Sequence, residues 1–256
     1  MGKRAVRPVE SLLRLDQMPS VWCPGCGIGI VVNTLMQTFG KINAPREDIR
    51  LVTSGISCVG KIPDYVRLSS VSAGAADLFQ TALKLKRKDP ELTVVAIASD
   101  NDLIAAGGEG LVELMASGES VLVLYLNSYV LHLMVEHRRF SDLPVMGGIP
   151  AGSSGTPFNI PRLADAHGAL FAARWTPLHC RRIALSLKKA LRKPGPALIE
   201  VIVPCLMYFA SRQGTGTILD RMGHYLERAE LRNHEPTDRL DGREDRDLVI
   251  GTFIDR

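Results

Sequence analysis

The sequence has few aromatic side chains and no long basic run. Phe, Trp and Tyr make up 5% of its 256 residues, and the formal net charge is only +4. Proteins that bind nucleic acid combine basic grooves with aromatic side chains on which bases stack. We therefore expect no nucleic-acid partner.

Long apolar runs are also missing. No stretch reaches the roughly 20 apolar residues that a helix needs to span a bilayer, and no apolar signal segment follows the basic residues 1–8. We expect no membrane span, no secretory signal and a cytoplasmic protein. With 46% hydrophobic and 23% charged residues, the chain has the composition of a globular protein and is long enough to bury a large core.

Cysteine is scarce too, with five residues, and a reducing cytoplasm argues against a disulfide framework. Cys23 and Cys26 lie in Trp-Cys-Pro-Gly-Cys-Gly, Cys58 in Gly-Ile-Ser-Cys-Val-Gly, and Cys205 in Ile-Val-Pro-Cys-Leu. Each of these four lies in a predicted loop beside a regular element, so we expect their thiolates to converge on one metal centre. Cys180 lies in a predicted helix and is expected to be a core residue.

Spacing leaves the identity of this metal open. Four thiolates bind either an iron–sulfur cluster or a structural Zn²⁺ ion. Two cysteines that are far apart in sequence are less typical of zinc, which usually combines two paired knuckles.

The hydrophobic pattern predicts alternating strands and helices. Helical spacing of apolar residues occurs at 27–39, 73–86, 106–116 and 178–191, and short apolar runs at 49–53, 93–98, 121–126 and 197–203 indicate strands. Continuous apolar runs are typical of parallel strands buried on both faces. We therefore predict an α/β fold with a mostly parallel sheet and helices on both faces.

The sequence shows no internal repeat and no domain boundary before residue 212. Residues 1–211 are predicted to form the α/β domain. Residues 212–256 are predicted to form a C-terminal arm that packs on this domain or on a partner subunit. Residues 127–161 have little periodicity, and a connection of that length is usually functional or disordered.

Oxygen-bearing side chains follow two predicted strands. Asp100 and Asp102 come directly after one buried strand, and Asn127 and Ser128 after the next. Ligands of parallel α/β sheets bind beyond the carboxyl ends of the strands, and such oxygen ligands suit Mg²⁺ or Ca²⁺ beside a phosphate at a helix N-terminus. The alternative is that these residues only cap helices and form turns.

Taken together, these motifs resemble the β subunits of the 2-oxoacid:ferredoxin oxidoreductases, the thiamine-diphosphate enzymes that include pyruvate and 2-oxoglutarate synthases. The resemblance runs from the CxxC segment at 22–27 through residues 55–58 and 99–102 to Cys205, and it extends to residues 250–253. It implies the thiamine-diphosphate-binding fold, with a domain of the pyrophosphate-binding type.

The resemblance also implies the ligands. Cys23, Cys26, Cys58 and Cys205 would bind one 4Fe–4S cluster, and Asp100, Ser128 and the backbone carbonyl of Val130 would bind Mg²⁺. The residues that would bind thiamine diphosphate are Gly55, Ile56, Ser57, Cys58, Ser99, Asp100, Asn101, Asp102, Asn127, Ser128 and Val130. No catalytic residue is assigned.

The implied function is thiamine-dependent oxidative decarboxylation of a 2-oxoacid, typically to an acyl-CoA and CO₂. Electrons would pass through the cluster to ferredoxin or another acceptor. The chain would be active only with partner subunits, namely an α subunit and γ or δ subunits where the enzyme has them. The alternative is a non-catalytic iron–sulfur electron-transfer or scaffold subunit with a degenerate thiamine site.

Three segments depart from the family pattern. The Gly-Asp-Gly-Asp loop is Ser-Asp-Asn-Asp at 99–102, the His-Gly-Arg segment is Ala-Gly-Ala at 73–75, and the Tyr-Gly-Met-Thr-Gly-Gly-Gln loop is bulky and basic at 131–139. The last segment carries His132, His137, Arg138 and Arg139, which could face an anionic substrate or coenzyme A, or could be a solvated surface. The changes at 73–75 and 131–139 concern the substrate side of the cofactor more than its diphosphate anchor, so the 2-oxoacid stays unassigned.

Overall fold

The computed structural model describes residues 8–42, 44–55, 57–103, 108–128, 159–205, 223, 225–240 and 247–256. Its framework is an eight-stranded sheet in the order β2-β1-β3-β4-β6-β5-β8-β7. The strands are β1 Ile49–Ser54, β2 Ser69–Ala73, β3 Thr93–Ser99, β4 Val121–Asn127, β5 Phe171–Trp175, β6 Ala197–Ile202, β7 Ala229–Leu231 and β8 Leu248–Asp255. The first six strands of this order are parallel, whereas β8 runs antiparallel to β5 and β7 runs parallel to β8.

Helices cover both faces of the sheet. They are α1 Gly27–Ile42, α2 Ile62–Tyr65, α3 Leu78–Lys88, the single turn α4 Asp100–Asp102, α5 Gly108–Ala116, α6 Ile160–Ala166 and α7 Cys180–Ala190. One core cluster joins the sheet to α1, α2 and α7, and a second joins it to α3, α5 and α6. The predicted α/β class, with a mostly parallel sheet between two helical layers, is confirmed.

The side-chain alternation of β3 shows why residues 94–98 form an unbroken apolar run. Val95 and Ile97 belong to the first core cluster, while Val94, Ala96 and Ala98 belong to the second. Because both faces of a central parallel strand pack against helices, each position of such a strand is apolar.

Four strands of the sheet, namely β2, β5, β7 and β8, have no counterpart in the sequence prediction. β2 occupies Ser69–Ala73, so α3 begins at Leu78 rather than at residue 73. β5 occupies Phe171–Trp175 and pairs with both β6 and β8. The apolar run near the C-terminus is β8, and its pairing with β5 incorporates it into the sheet.

The order of the strands creates a crevice at one edge of the sheet. From β1 the chain passes outward to β2 and then returns to β3 on the other side of β1. The loops that leave β1 and β3 therefore diverge, which makes this the topological switch point where open α/β sheets bind ligands. The ends of β4 and β6 lie along the same edge.

Among the described helices, none has both the length and the apolar character needed to cross a bilayer.

Candidate cofactor and metal site

Asp100 meets Ser128 at the carboxyl edge of the sheet. Asp100 opens α4 directly after β3 and is 2% exposed. Its carboxylate accepts the Ser128 hydroxyl at 2.7 and 2.9 Å and the Ser128 backbone N–H at 3.2 Å. Because β3 and β4 are adjacent and parallel, their carboxyl ends bring a carboxylate and a hydroxyl together from residues that are 28 positions apart.

Asp102 has a different environment from Asp100. It is fully buried and accepts two hydrogen bonds from Ser99, from the backbone N–H and from the hydroxyl, both at 2.7 Å. Ser99 and Asp102 form a capping box around α4, in which Asn101 lies between the two aspartates. Asp102 also accepts the hydroxyl of Ser54 at the end of β1, so it joins both sides of the switch point. These hydrogen bonds therefore give Asp102 a structural role.

Asn127, the last residue of β4, leads to a buried ion pair. Its side-chain Nδ2 donates to Oε1 of Glu200 at 2.9 Å, and the other oxygen of Glu200 accepts from Nε of Arg174 at 2.6 Å. Arg174 is 2% exposed and Glu200 is 1% exposed. The sequence analysis missed both residues, although a single Arg in one short apolar segment and a single Glu in another is a recognisable signal for a buried pair.

The loop after β1 contains a hydroxyl without a partner. Among the described residues, the buried Oγ of Ser57 has no hydrogen-bond partner, and neither has Oγ1 of Thr53 at the end of β1. Gly60 packs against the backbone of Ser54 and Gly55 so closely that a Cβ would overlap them. Because buried polar groups are almost always satisfied, the Ser57 hydroxyl fits a polar ligand in the crevice.

Cys23 and Cys26 form a tight turn before α1. The backbone N–H of Cys26 donates to the carbonyl of Cys23 at 2.9 Å, and Gly25 has a φ of 80°. Gly27, the first residue of α1, leaves no room for a Cβ beside Pro177. Close packing therefore fixes the position at which the CxxC turn joins the helix.

Two hydrogen bonds connect the remaining cysteines to the rest of the site. Nε1 of Trp22 donates to the carbonyl of Cys58 at 2.9 Å, which ties the CxxC turn to the loop after β1. The backbone N–H of Cys205 donates to the carbonyl of Ser128 at 3.1 Å. Cys58 and Cys205 thus follow β1 and β6 at the same edge of the sheet that carries Asp100 and Ser128.

The four thiols lie near enough to influence one another's ionisation. Burial raises the pKa of Cys26, and Cys23, Cys58 and Cys205 raise that pKa further through charge repulsion. Burial also raises the pKa of Cys58, with added repulsion from Cys205 and Cys23. The structure therefore brings the four sequence-predicted cysteines into one neighbourhood.

This neighbourhood does not have the geometry of a single-ion site. In the part of the chain that the structure describes, no three His, Cys, Asp or Glu side chains are arranged to hold a metal ion.

The prediction for Cys180 is wrong, because this residue is exposed. It is the first residue of α7, and the buried stripe of that helix begins one turn later with Ile183 and Leu187. Several other predicted residues lie outside the described part of the chain. They are Ile56, Val130, His132, His137, Arg138 and Arg139.

Comparisons with known proteins agree with this architecture. Residues 70–201, just over half of the chain, match the family model of the thiamine pyrophosphate enzyme, C-terminal TPP binding domain. The 2-oxoglutarate synthase subunit KorB of Methanothermobacter marburgensis is 31% identical over 260 residues, which cover 97% of this chain and 87% of the relative. A 2-oxoacid:ferredoxin oxidoreductase β subunit of Aeropyrum pernix is 29% identical over 190 residues, covering 73% of this chain and 61% of the relative.

A solved structure shares the fold. The 2-oxoglutarate:ferredoxin oxidoreductase from Magnetococcus marinus, solved with 2-oxoglutarate, coenzyme A and succinyl-CoA bound, superposes with a TM-score of 0.75 at 16% identity. The match covers 98% of this chain and 86% of that one.

Proposed function

Since the chain belongs to the family of 2-oxoacid:ferredoxin oxidoreductase β subunits, we propose that it binds thiamine diphosphate, Mg²⁺ and a 4Fe–4S cluster in an enzyme that oxidatively decarboxylates a 2-oxoacid. The observation that carries this proposal is the contact between Asp100 and Ser128 at the switch point. It joins a buried carboxylate to a hydroxyl at the position where such sheets bind diphosphates.

Asp100 and Ser128 are the proposed side-chain ligands of Mg²⁺, with the backbone carbonyl of Val130 as a third. Hard oxygen ligands of this kind suit Mg²⁺, which usually keeps only one or two carboxylates besides phosphate and water. A buried carboxylate with a hydroxyl beside it offers one negative charge and one neutral oxygen. An ion bound there would replace the Ser128 hydroxyl proton as the positive partner of Asp100.

The loop after β1 is the proposed wall of the diphosphate site. Gly55 and Ser57 line it, and the unpartnered Ser57 hydroxyl can donate to a phosphate oxygen. Thiamine diphosphate, when bound, supplies the carbanion chemistry that decarboxylates a 2-oxoacid. The protein residues position the cofactor and exclude water from its charged end.

Cys23, Cys26, Cys58 and Cys205 are the proposed cluster ligands. Burial raises the pKa of Cys26, and repulsion from Cys23, Cys58 and Cys205 raises that pKa further. This repulsion supports a common site for the three loops that carry these cysteines, and a cluster beside the cofactor would suit one-electron transfer from the thiamine site. The indole of Trp22 bonds to the Cys58 carbonyl and packs against Tyr65, with the ring centroids 4.9 Å apart. This aromatic pair would shield one side of the cluster from water, which influences its reduction potential.

The proposed partners are an α subunit, other subunits of the same oxidoreductase, coenzyme A, and ferredoxin or another electron acceptor. The named relatives act with 2-oxoglutarate or with 2-oxoacids as a class, and we propose a 2-oxoacid substrate without choosing among them. We propose the cytoplasm as its location. The non-catalytic alternative draws on the altered segments at 73–75 and 131–139, while the buried Asp100–Ser128 pair argues against a decayed thiamine site.

The test is anaerobic purification of the complete complex, followed by measurement of bound thiamine diphosphate with Mg²⁺ present. The wild-type complex should retain thiamine diphosphate, and Asp100→Ala should lose it. The matched control is Asp89→Ala, which removes an exposed carboxylate at the opposite end of β3 and should retain the cofactor. A wild-type complex that binds no thiamine diphosphate under saturating Mg²⁺ refutes the proposal.

A further inference from the structure

An ion pair is buried in the middle of the sheet without an evident need for it in the fold. Arg174 on β5 and Glu200 on β6 are register partners, and their side chains meet at 2.6 Å. Their neighbours on the same face, such as Ala172 and Leu198, are apolar. Because burying two charges requires their desolvation, such a pair is usually no more stabilising than apolar side chains of similar volume.

The pair controls the orientation of one amide. An ionised carboxylate only accepts hydrogen bonds, so Asn127 must present its Nδ2 group to Glu200. Arg174 binds the other oxygen of Glu200 and so holds that carboxylate in place. The hydrogen bond therefore fixes the orientation of the Asn127 amide, with Nδ2 facing Glu200 and Oδ1 pointing away from it.

Asn127 is the last residue of β4 and directly precedes Ser128. Its carbonyl accepts the backbone N–H of Val203 at 2.8 Å, and the carbonyl of Ser128 accepts that of Cys205. The side-chain bond to Glu200 thus adds an anchor at the point where β4 delivers Ser128 to Asp100.

We propose that Glu200, held by Arg174, is a positioning residue for the magnesium–diphosphate site. It fixes the amide of Asn127 and, through the end of β4, the direction from which Ser128 faces Asp100. This inference rests on the proposed function, because it assigns a positioning residue to the proposed magnesium–diphosphate site. Residues that orient metal ligands in this way typically change metal affinity by about 10- to 100-fold when they are replaced.

The informative variant is Glu200→Gln. The single side-chain oxygen of glutamine would accept from Arg174, which leaves the glutamine NH₂ group facing Nδ2 of Asn127. Two donors cannot bond to each other, so the Asn127 amide must turn around. The matched control is Glu230→Gln. Glu230 lies on β7 and forms an exposed ion pair with Arg232, the residue after that strand, and the substitution removes the charge of Glu230.

The measurement is a calorimetric titration of thiamine diphosphate into the purified complex at a series of Mg²⁺ concentrations. For Glu200→Gln, the Mg²⁺ concentration that gives half-maximal cofactor binding should rise by roughly 10- to 100-fold. High Mg²⁺ should restore full binding, and the iron content should stay at the wild-type value. Mg²⁺ rescue separates a positioning role from a general structural defect, and Glu230→Gln should titrate like the wild type.

A second variant keeps the test decisive if Glu200→Gln does not fold. Arg174→Met combined with Glu200→Met replaces the ion pair by apolar side chains, a change that buried pairs often tolerate. This double variant removes the carboxylate that accepts the hydrogen bond from Nδ2 of Asn127. The Mg²⁺ concentration that gives half-maximal cofactor binding should therefore rise as it does for Glu200→Gln. A folded variant that titrates like the wild type overturns the inference, whereas a wild-type complex that binds no cofactor overturns the proposed function instead.

Discussion

Replacing Ser128 with alanine tests the proposed metal site most directly, because its effect can be worked out from the structure. The hydroxyl donates to both oxygens of a carboxylate that is 2% exposed. A hydrogen bond to a charged group contributes about 1.5–3 kcal/mol. For a chain of this size, where 1 kcal/mol corresponds to about 2–4 °C, Ser128→Ala should lower the melting temperature of the metal-free protein by about 3–12 °C.

The same substitution should weaken Mg²⁺ binding, since it removes a proposed ligand oxygen. If that oxygen contributes a similar free energy to the bound ion, the Mg²⁺ affinity should fall by roughly 10- to 150-fold. The assay is thermal unfolding without metal, followed by Mg²⁺ titration with saturating thiamine diphosphate.

Thr237→Val is the matched control for Ser128→Ala. Thr237 donates its hydroxyl to the carboxylate of Asp165 at 2.6 Å, away from the proposed site. Its replacement should also lower the melting temperature, but Mg²⁺ affinity should not change. If Ser128→Ala and Thr237→Val lose similar stability and neither alters Mg²⁺ affinity, Ser128 is not a metal ligand and the reasoning fails.

Two further predictions concern the cysteines and the end of the chain. Cys23→Ser should abolish the visible absorbance of the cluster and reduce bound iron, while the exposed Cys180→Ser should change neither; equal iron in both variants would contradict the assigned ligands. Hydrogen bonds from Lys189 and Lys193 lower the pKa of Asp255 below its usual 3.8. Asp255→Asn should therefore destabilise the protein above pH 3.8, and the difference from wild type should shrink as the pH falls from 3.8 toward the lowered pKa of the folded state. Denaturant unfolding at pH values between 3 and 7 checks the prediction for Asp255. A difference in the free energy of unfolding between Asp255→Asn and the wild type that stays constant across this range would exclude it.

The sequence predicts the central strands because their environment leaves a local pattern. β3, β4 and β6 are covered on both faces, so their apolar runs are visible without the structure. β2 has the sequence Ser-Ser-Val-Ser-Ala and is an exposed edge strand, which gives no such run. In β5 the apolar run is broken by Arg174, whose burial depends on Glu200 in another strand.

The candidate site, like the fold, could be predicted from the sequence only where a local pattern reflects the structure. The meeting of Asp100 and Ser128 follows from two adjacent parallel strands, which the sequence pattern indicates. Asp100 and Asp102 look equivalent in the sequence, but Ser99 and Ser54 satisfy Asp102 and give it a structural role. That difference depends on the end of β1, a contact across 48 residues that no local pattern contains.

The shared loops of the two proposed cofactor sites bear on the non-catalytic alternative. Cys58 lies three residues after Gly55, and the backbone of Cys205 is hydrogen-bonded to the carbonyl of Ser128. A cluster that depends on these cysteines would therefore hold the same backbone that presents the proposed thiamine ligands. Loss of thiamine binding would have to come from side chains alone, and the side chains of Asp100 and Ser128 are still in contact. For this reason the catalytic function accounts better for the geometry of this edge of the sheet than a cluster scaffold does.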